Sequence, residues 1–121
     1  MALRFETLDI WKLALQYARK LFAITGNLPN NYKFNLGEQL NRAVLSISNN
    51  IAEGSGSAST KDFQNFLNIA IRSTFEVISM LHILKAEQLF KDSEFDQLYT
   101  DGELLVKKIQ AFRNSLLNQN P

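Results

Sequence analysis

No cysteine occurs anywhere in the 121 residues, so the chain has no disulfide framework, no thiolate zinc site and no cysteine nucleophile. It suits a reducing compartment, and a cytoplasmic protein is the expectation. Two prolines and five glycines are too few for the many turns of an all-β fold, which favours helices before any periodicity is considered. No run approaches the roughly 18 consecutive apolar residues of a bilayer span. Arg4 and Glu6 interrupt the N-terminal stretch where a secretory signal would be apolar. No membrane partner is therefore expected. The single histidine, His82, has no acid three or four positions after it, and no Glu-x-x-His pair of the kind that builds metal centres in bundles is present. The expectation is a protein with no catalytic residue, no metal and no cofactor.

A strong net charge is missing too. The formal charge is +1, far from the basicity that by itself announces a nucleic-acid binder. Its distribution says more than its sum. Residues 1–50 carry six basic and three acidic groups, residues 51–106 carry four and nine, and residues 107–121 carry three and none. Each cluster taken alone reads as a solvated helix face.

What is present is helical periodicity, and the spacing predicts four antiparallel helices near residues 8–25, 35–54, 60–89 and 93–117. In the first, Trp11, Ala14, Leu15, Ala18 and Phe22 recur at helical spacing before Gly26-Asn27-Leu28-Pro29. The second opens at Asn35, with Glu38 completing a capping box, and buries Leu36, Leu40, Ala43, Val44, Ile47 and Ile51. Ser59 caps the third, whose stripe includes Phe63, Phe66, Leu67, Ala70, Thr74, Val77, Ile78, Leu81 and Leu84. Ser93 caps the fourth, with Phe95, Leu98, Gly102, Leu105, Val106, Ile109, Phe112 and Leu116 inward, and residues 118–121 are expected to fray. Trp11, Phe22, Ile47, Phe63, Phe66, Leu81 and Phe112 are the core candidates. Short loops between four amphipathic helices imply one all-α domain over residues 1–121, an up-down-up-down bundle.

Two helices carry more apolar surface than one core stripe needs. Ile10, Leu13, Tyr17 and Ile24 form a second seam on the first helix, and Ile69, Ser73, Glu76, Met80 and Ile83 form one on the third. Aligned seams point either to a buried contact with another chain, the reading adopted here, or to a helix more deeply wrapped by its own neighbours. On the second helix Glu38, Gln39, Arg42, Ser46, Asn49 and Glu53 form a polar stripe opposite the core. Arg42 and Glu53 lie too far apart to meet, while Arg72 and Glu76 are spaced for an i,i+4 pair. The Gly54-Ser55-Gly56-Ser57 turn follows a helix and lacks a phosphate-loop lysine, so it reads as a helix terminator.

The run Arg42-Ala43-Val44-Leu45-Ser46-Ile47-Ser48-Asn49-Asn50-Ile51-Ala52-Glu53-Gly54 is distinctive. It is preceded by Phe5-Glu6-Thr7-Leu8-Asp9-Ile10-Trp11 and followed by Phe66-Leu67-Asn68-Ile69-Ala70, Ser73 and Glu76. Nearly the whole chain thereby resembles the four-helix-bundle proteins of the 23S rRNA intervening-sequence family. Trp11, Gln39, Arg42, Ser46, Asn50, Glu53, Gly54, Ser73 and Glu76 match its pattern. The resemblance implies a homo-pentamer of up-down bundles. It also links the chain to a related group, the accessory proteins of diversity-generating retroelements, which bind nucleic acid and a reverse transcriptase. Where the family often has a basic residue after the Glu-Gly turn, this chain has Ser55-Gly56-Ser57, which argues against phosphate binding by that loop.

Two functions follow from these readings. In one, a homo-oligomer multiplies a basic patch made by Lys12, Arg19, Lys107, Lys108 and Arg113 into a multivalent surface for RNA or DNA. In the other, the bundle is a scaffold that binds another protein and no nucleic acid. The contact between copies is assigned to Ile10, Leu13, Tyr17, Ile24, Ile69, Glu76, Met80 and Ile83.

Overall fold

The computed structural model describes residues 3–117, and among them helices and the turns between helices account for the whole architecture. A 3-10 turn, Arg4–Thr7, leads into α1 (Asp9–Thr25). A helical turn, Asn30–Tyr32, and a π-helical segment, Lys33–Gly37, run without a break into α2 (Glu38–Ser55). Then come α3 (Thr60–Ala86) and α4 (Asp92–Leu117). Each helix packs on the one before it, and α4 closes the bundle against α1. The antiparallel four-helix bundle expected from the periodicity is therefore the fold. The expected fraying of residues 118–121 lies outside the described residues.

The helix ends show which local signals decide. Ser59 caps α3 as expected, its Oγ accepting the Asp62 N–H at 3.1 Å. Asn35 does not cap α2. The helix has already begun at Pro29, whose carbonyl accepts the N–H groups of Tyr32 and Lys33, each at 2.9 Å. Asn35 instead sits in the π segment and donates from Nδ2 to the Asn31 carbonyl at 2.9 Å. Ser93 is likewise displaced as a cap. Helix α4 starts at Asp92, and Glu94 reaches back to accept the Lys91 N–H at 2.9 Å. Helix α3 stops at Ala86 because Gln88 adopts φ 56°, which lets the Leu89 N–H reach the Leu84 carbonyl at 2.9 Å.

The core runs along the axis through Leu21, Leu40, Ile47, Ile51, Leu67, Leu81, Leu84, Leu105 and Ile109, all fully buried. Of the core candidates, Ile47, Phe63 and Leu81 are buried. Trp11, Phe66 and Phe112 are half-buried at the edge, Phe112 with its ring edge-on to Phe63 at 5.5 Å. Phe22 is 39% exposed, contrary to expectation. Helix α1 is rotated relative to the expected stripe: it buries Ile10, Ala14, Tyr17, Ala18 and Leu21 and leaves Leu15 outside. Tyr17 explains the choice, since its buried hydroxyl donates to the Leu98 carbonyl of α4 at 3.0 Å and holds that face inward. The buried hydroxyl of Thr74 is also satisfied, donating to the Ala70 carbonyl at 2.8 Å.

Helix α3 holds no run of 18 consecutive apolar residues, since Arg72 and Glu76 interrupt it. Its 27 residues are long and apolar enough, by length and composition, to cross a membrane. Its apolar stripe is packed against α2 and α4, as the central helix of a bundle requires. The turn between α2 and α3 depends on Gly54. A Cβ at this position would stand 2.8 Å from both Phe63 Cδ1 and Phe66 Cβ, so the absent side chain is what lets α3 fold back so closely.

Candidate functional site

Two surfaces on opposite sides of the bundle carry nearly all the residues the sequence singled out. On the α2/α3 side, Gln39, Arg42 and Ser46 recur at helical spacing on α2, and Ser73 and Glu76 face them from α3. Together with Asn35, Glu38 and Ala43 they line an open groove of about 440 Å³. Ser46 and Ser73 meet hydroxyl to hydroxyl at 2.8 Å. Asn50 braces this contact, donating from Nδ2 to the Ser46 carbonyl at 2.7 Å and to Ser46 Oγ at 3.0 Å. One mutual bond between two hydroxyls leaves one hydroxyl proton for the groove.

The charges around this groove are unsatisfied within the chain. Among the described residues the side chains of Arg42, Glu38 and Glu76 form no ion pair or hydrogen bond, and the same is true of the side chains of Arg72 and Glu53. Arg72 and Glu76, expected to pair, are therefore not within ion-pair distance. An exposed i,i+4 pair is worth only about 0.3–0.5 kcal/mol, too little to hold two long side chains together against solvent. The remaining motif residues have local structural work. Gly54 permits the α2/α3 turn, and Trp11 packs edge-on against Phe5 at 5.0 Å between ring centres.

The residues assigned to a contact between copies divide. Ile10, Tyr17 and Met80 are buried within the chain's own core, and Leu13 and Ile24 are half-buried against it. The seam on α1 is thus used inside the bundle, because α4 covers it. Ile69, Ile83 and Glu76 remain exposed on α3, beside the polar groove.

The other surface is the α1/α4 side. The Lys20 ammonium meets the Asp101 carboxylate at 2.8 Å. Leu13 lines one cleft with Leu104 and Leu105, while Ala23 lines another with Ser93 and Glu94, the order of antiparallel helices. Lys12 and Lys108 therefore lie towards the same end, with Arg19 two turns along α1 from Lys12 and Lys107 adjacent. All four are exposed. Arg113 is not part of this patch. It is half-buried, with Nη1 donating to Asn68 Oδ1 at 2.7 Å, Nε and Nη2 on Asn114 Oδ1 at 3.3 Å, and its carbonyl accepting from Gln64. Lys20 and Lys33 were missed as members of a basic region. The signal for them is an absence: residues 10–37 contain Lys12, Arg19, Lys20 and Lys33 and no acid at all. Among the described residues no three His, Asp or Glu side chains converge as metal ligands.

The comparisons with known proteins agree with this architecture. A family model described as 23S rRNA-intervening sequence protein matches residues 6–111. The chain is also similar to a protein of unknown function from the S23 ribosomal protein family of Bacteroides thetaiotaomicron, whose crystal structure was solved at 1.70 Å. The two are 25% identical and superpose with a TM-score of 0.80, over 86% of this chain and 97% of that one. No curated protein matches the chain.

Proposed function

Since this chain belongs to the 23S rRNA-intervening sequence protein family, we propose that it is a non-enzymatic, self-assembling bundle that associates with RNA or DNA through its α1/α4 cations. The observation that carries this reading is the segregation of two unsatisfied surfaces onto opposite sides of one small bundle. On the α2/α3 side, Arg42, Glu38 and Glu76 lack partners while Ile69 and Ile83 beside them stay exposed. A second copy docked here covers the apolar residues, and its own Glu38 or Glu76 supplies the counter-charge that a buried arginine needs. Each copy then turns Lys12, Arg19, Lys107 and Lys108 outward, and assembly multiplies a patch that is weak in one chain. The family resemblance suggests five copies.

Two measurements test the two halves separately. Light scattering at micromolar concentration is expected to give a multiple of the chain mass of 13.8 kDa, and a monomer contradicts self-assembly. Retention of structured RNA is expected at low salt and lost as salt rises, because phosphate contacts release counterions.

A second reading, a scaffold for another protein, is favoured by one feature of α4. Residues 92–106 hold five acids, Asp92, Glu94, Asp96, Asp101 and Glu103, with no lysine or arginine among them. Tyr99 on the same helix is 37% exposed, and Phe75 on α3 is 56% exposed. An acidic face with exposed rings repels nucleic acid and suits a basic protein surface. If RNA is not retained by the parent protein at low salt, this reading replaces the first.

A further inference from the structure

We propose that the corner where α1 meets the lead-in to α2 is a cleft for one unstacked nucleobase of a single strand. This rests on the nucleic-acid reading above and narrows it from a general polyanion surface to single strands. Phe34 is 68% exposed, the most exposed of the large apolar side chains among the described residues, and Phe22 is 39% exposed. Neither ring has an aromatic neighbour within stacking distance among the described residues. Phe34 lies in the π-helical segment, where the wider turn changes the angular spacing of side chains from that of the flanking helix, and such segments are frequent at functional sites. The two phenylalanines and the backbone between them bound a cleft of about 310 Å³, at the lower end of the range for small-ligand sites.

Three polar groups in the cleft give it the chemistry of a base edge. The buried Thr25 hydroxyl donates to Asn41 Oδ1 at 2.8 Å. That contact fixes the amide and leaves Asn41 Nδ2 without a partner among the described residues. Glu38, three residues earlier on the same helix, brings a carboxylate acceptor into the same lining. A donor and an acceptor on neighbouring turns match the paired acceptor and donor on the Watson–Crick edge of an unpaired base. Lys33, also in the lining, supplies a cation for the adjoining phosphate. The wider setting agrees, since the acid-free stretch of residues 10–37 carries Lys12 and Arg19 on α1 as further cations for a phosphate backbone that reaches this corner. An apolar docking patch for a protein needs neither the oriented amide nor the run of cations.

The test uses the full chain and three probes: a labelled short oligouridine or oligoadenine strand, a labelled blunt RNA hairpin of equal length, and free UMP or AMP. Phe34→Ala removes a ring that supports no core contact, so it leaves the fold intact, and Phe75→Ala removes an exposed ring elsewhere as a control. By anisotropy, Phe34→Ala is expected to weaken single-strand binding by about tenfold or more, the effect of losing one stacked base, and to leave hairpin binding unchanged. Phe75→Ala is expected to change neither. In nuclear magnetic resonance titrations, UMP or AMP is expected to shift the Asn41 side-chain amide and the Phe34 backbone amide. If strands bind equally to parent and Phe34→Ala, the cleft is overturned and the broader nucleic-acid reading survives. If strands fail to bind but the mononucleotides shift Asn41 and Phe34, the cleft stands and the broader reading falls. Absence of both signals overturns the cleft.

Discussion

Replacing Gly102 by alanine sets two effects of opposite sign against each other. Gly102 lies inside α4, where alanine favours the helix by about 1 kcal/mol over glycine. The position also packs directly against side chains of α1 and α3. A Cβ there would stand 2.6 Å from Tyr17 Oη and 2.9 and 3.0 Å from Ile78 Cγ1 and Cδ1. Overpacking of this kind costs about 1–3 kcal/mol. If the phenol moves to make room, its buried hydroxyl gives up the Leu98 carbonyl, a further loss of about 1–3 kcal/mol. The net expectation is a destabilisation of about 0–2 kcal/mol if the phenol stays and about 1–5 kcal/mol if it moves, the latter a large part of a small domain's stability. Tyr17→Phe removes the colliding oxygen, so Gly102→Ala is expected to cost less by about 1 kcal/mol or more in that background. Urea unfolding of the four proteins of this cycle, followed by far-UV circular dichroism, measures both quantities. A stabilised Gly102→Ala protein, or an equal cost in the two backgrounds, refutes the reasoning.

Further expectations follow from the same contacts. Burial, and secondarily the Asp101 carboxylate, holds the Tyr17 hydroxyl protonated well above its ordinary pKa of 10.0. The unfolded tyrosine ionises first, so this contribution is fully present below about pH 10 and declines as pH rises above it, a decline that Tyr17→Phe should flatten in alkaline unfolding curves. Ile47→Ala should cost roughly 2–5 kcal/mol in urea unfolding, whereas Phe22→Ala should cost far less because that ring is on the surface. Gln88→Gly relieves a left-handed residue and is expected to raise stability by about 0.5–1 kcal/mol, visible as a higher melting temperature. Ile69→Asp combined with Ile83→Asp should lower the scattering mass and leave helicity intact, and an unchanged mass would move the contact between copies away from α3.

The four helices were legible because a 3.6-residue apolar period over 17 to 27 residues admits few alternatives. Their faces were less so. On α1 the two apolar stripes are of similar weight, and hydrophobicity alone does not say which turns inward. The choice belongs to the Tyr17 hydroxyl and its partner Leu98, 81 residues away. The α2 cap was misplaced at Asn35 because the π-helical segment hides the true start at Pro29. The polar stripe of α2 was visible as spacing, but the groove needs Ser73 from α3, and the contact with Ser46 is tertiary. The basic patch was half legible. Lys12, Arg19, Lys107 and Lys108 are exposed, while Arg113 is drawn inward by Asn68. The Phe22/Phe34 cleft was not legible, because the spacing of Phe22 reads as core and Phe34, on a π turn, falls outside the helical repeat.

The most direct measurement of the central claim is the affinity of the assembled protein for RNA as a function of salt. A cationic α1/α4 face predicts a linear fall of log K with log salt, with a slope of about −0.7 per single-strand phosphate contacted. In the Lys12→Glu, Arg19→Glu protein, binding should be abolished or its slope reduced, with the helical circular dichroism unchanged. No binding by the parent at the lowest salt, or binding that salt does not weaken, contradicts the account.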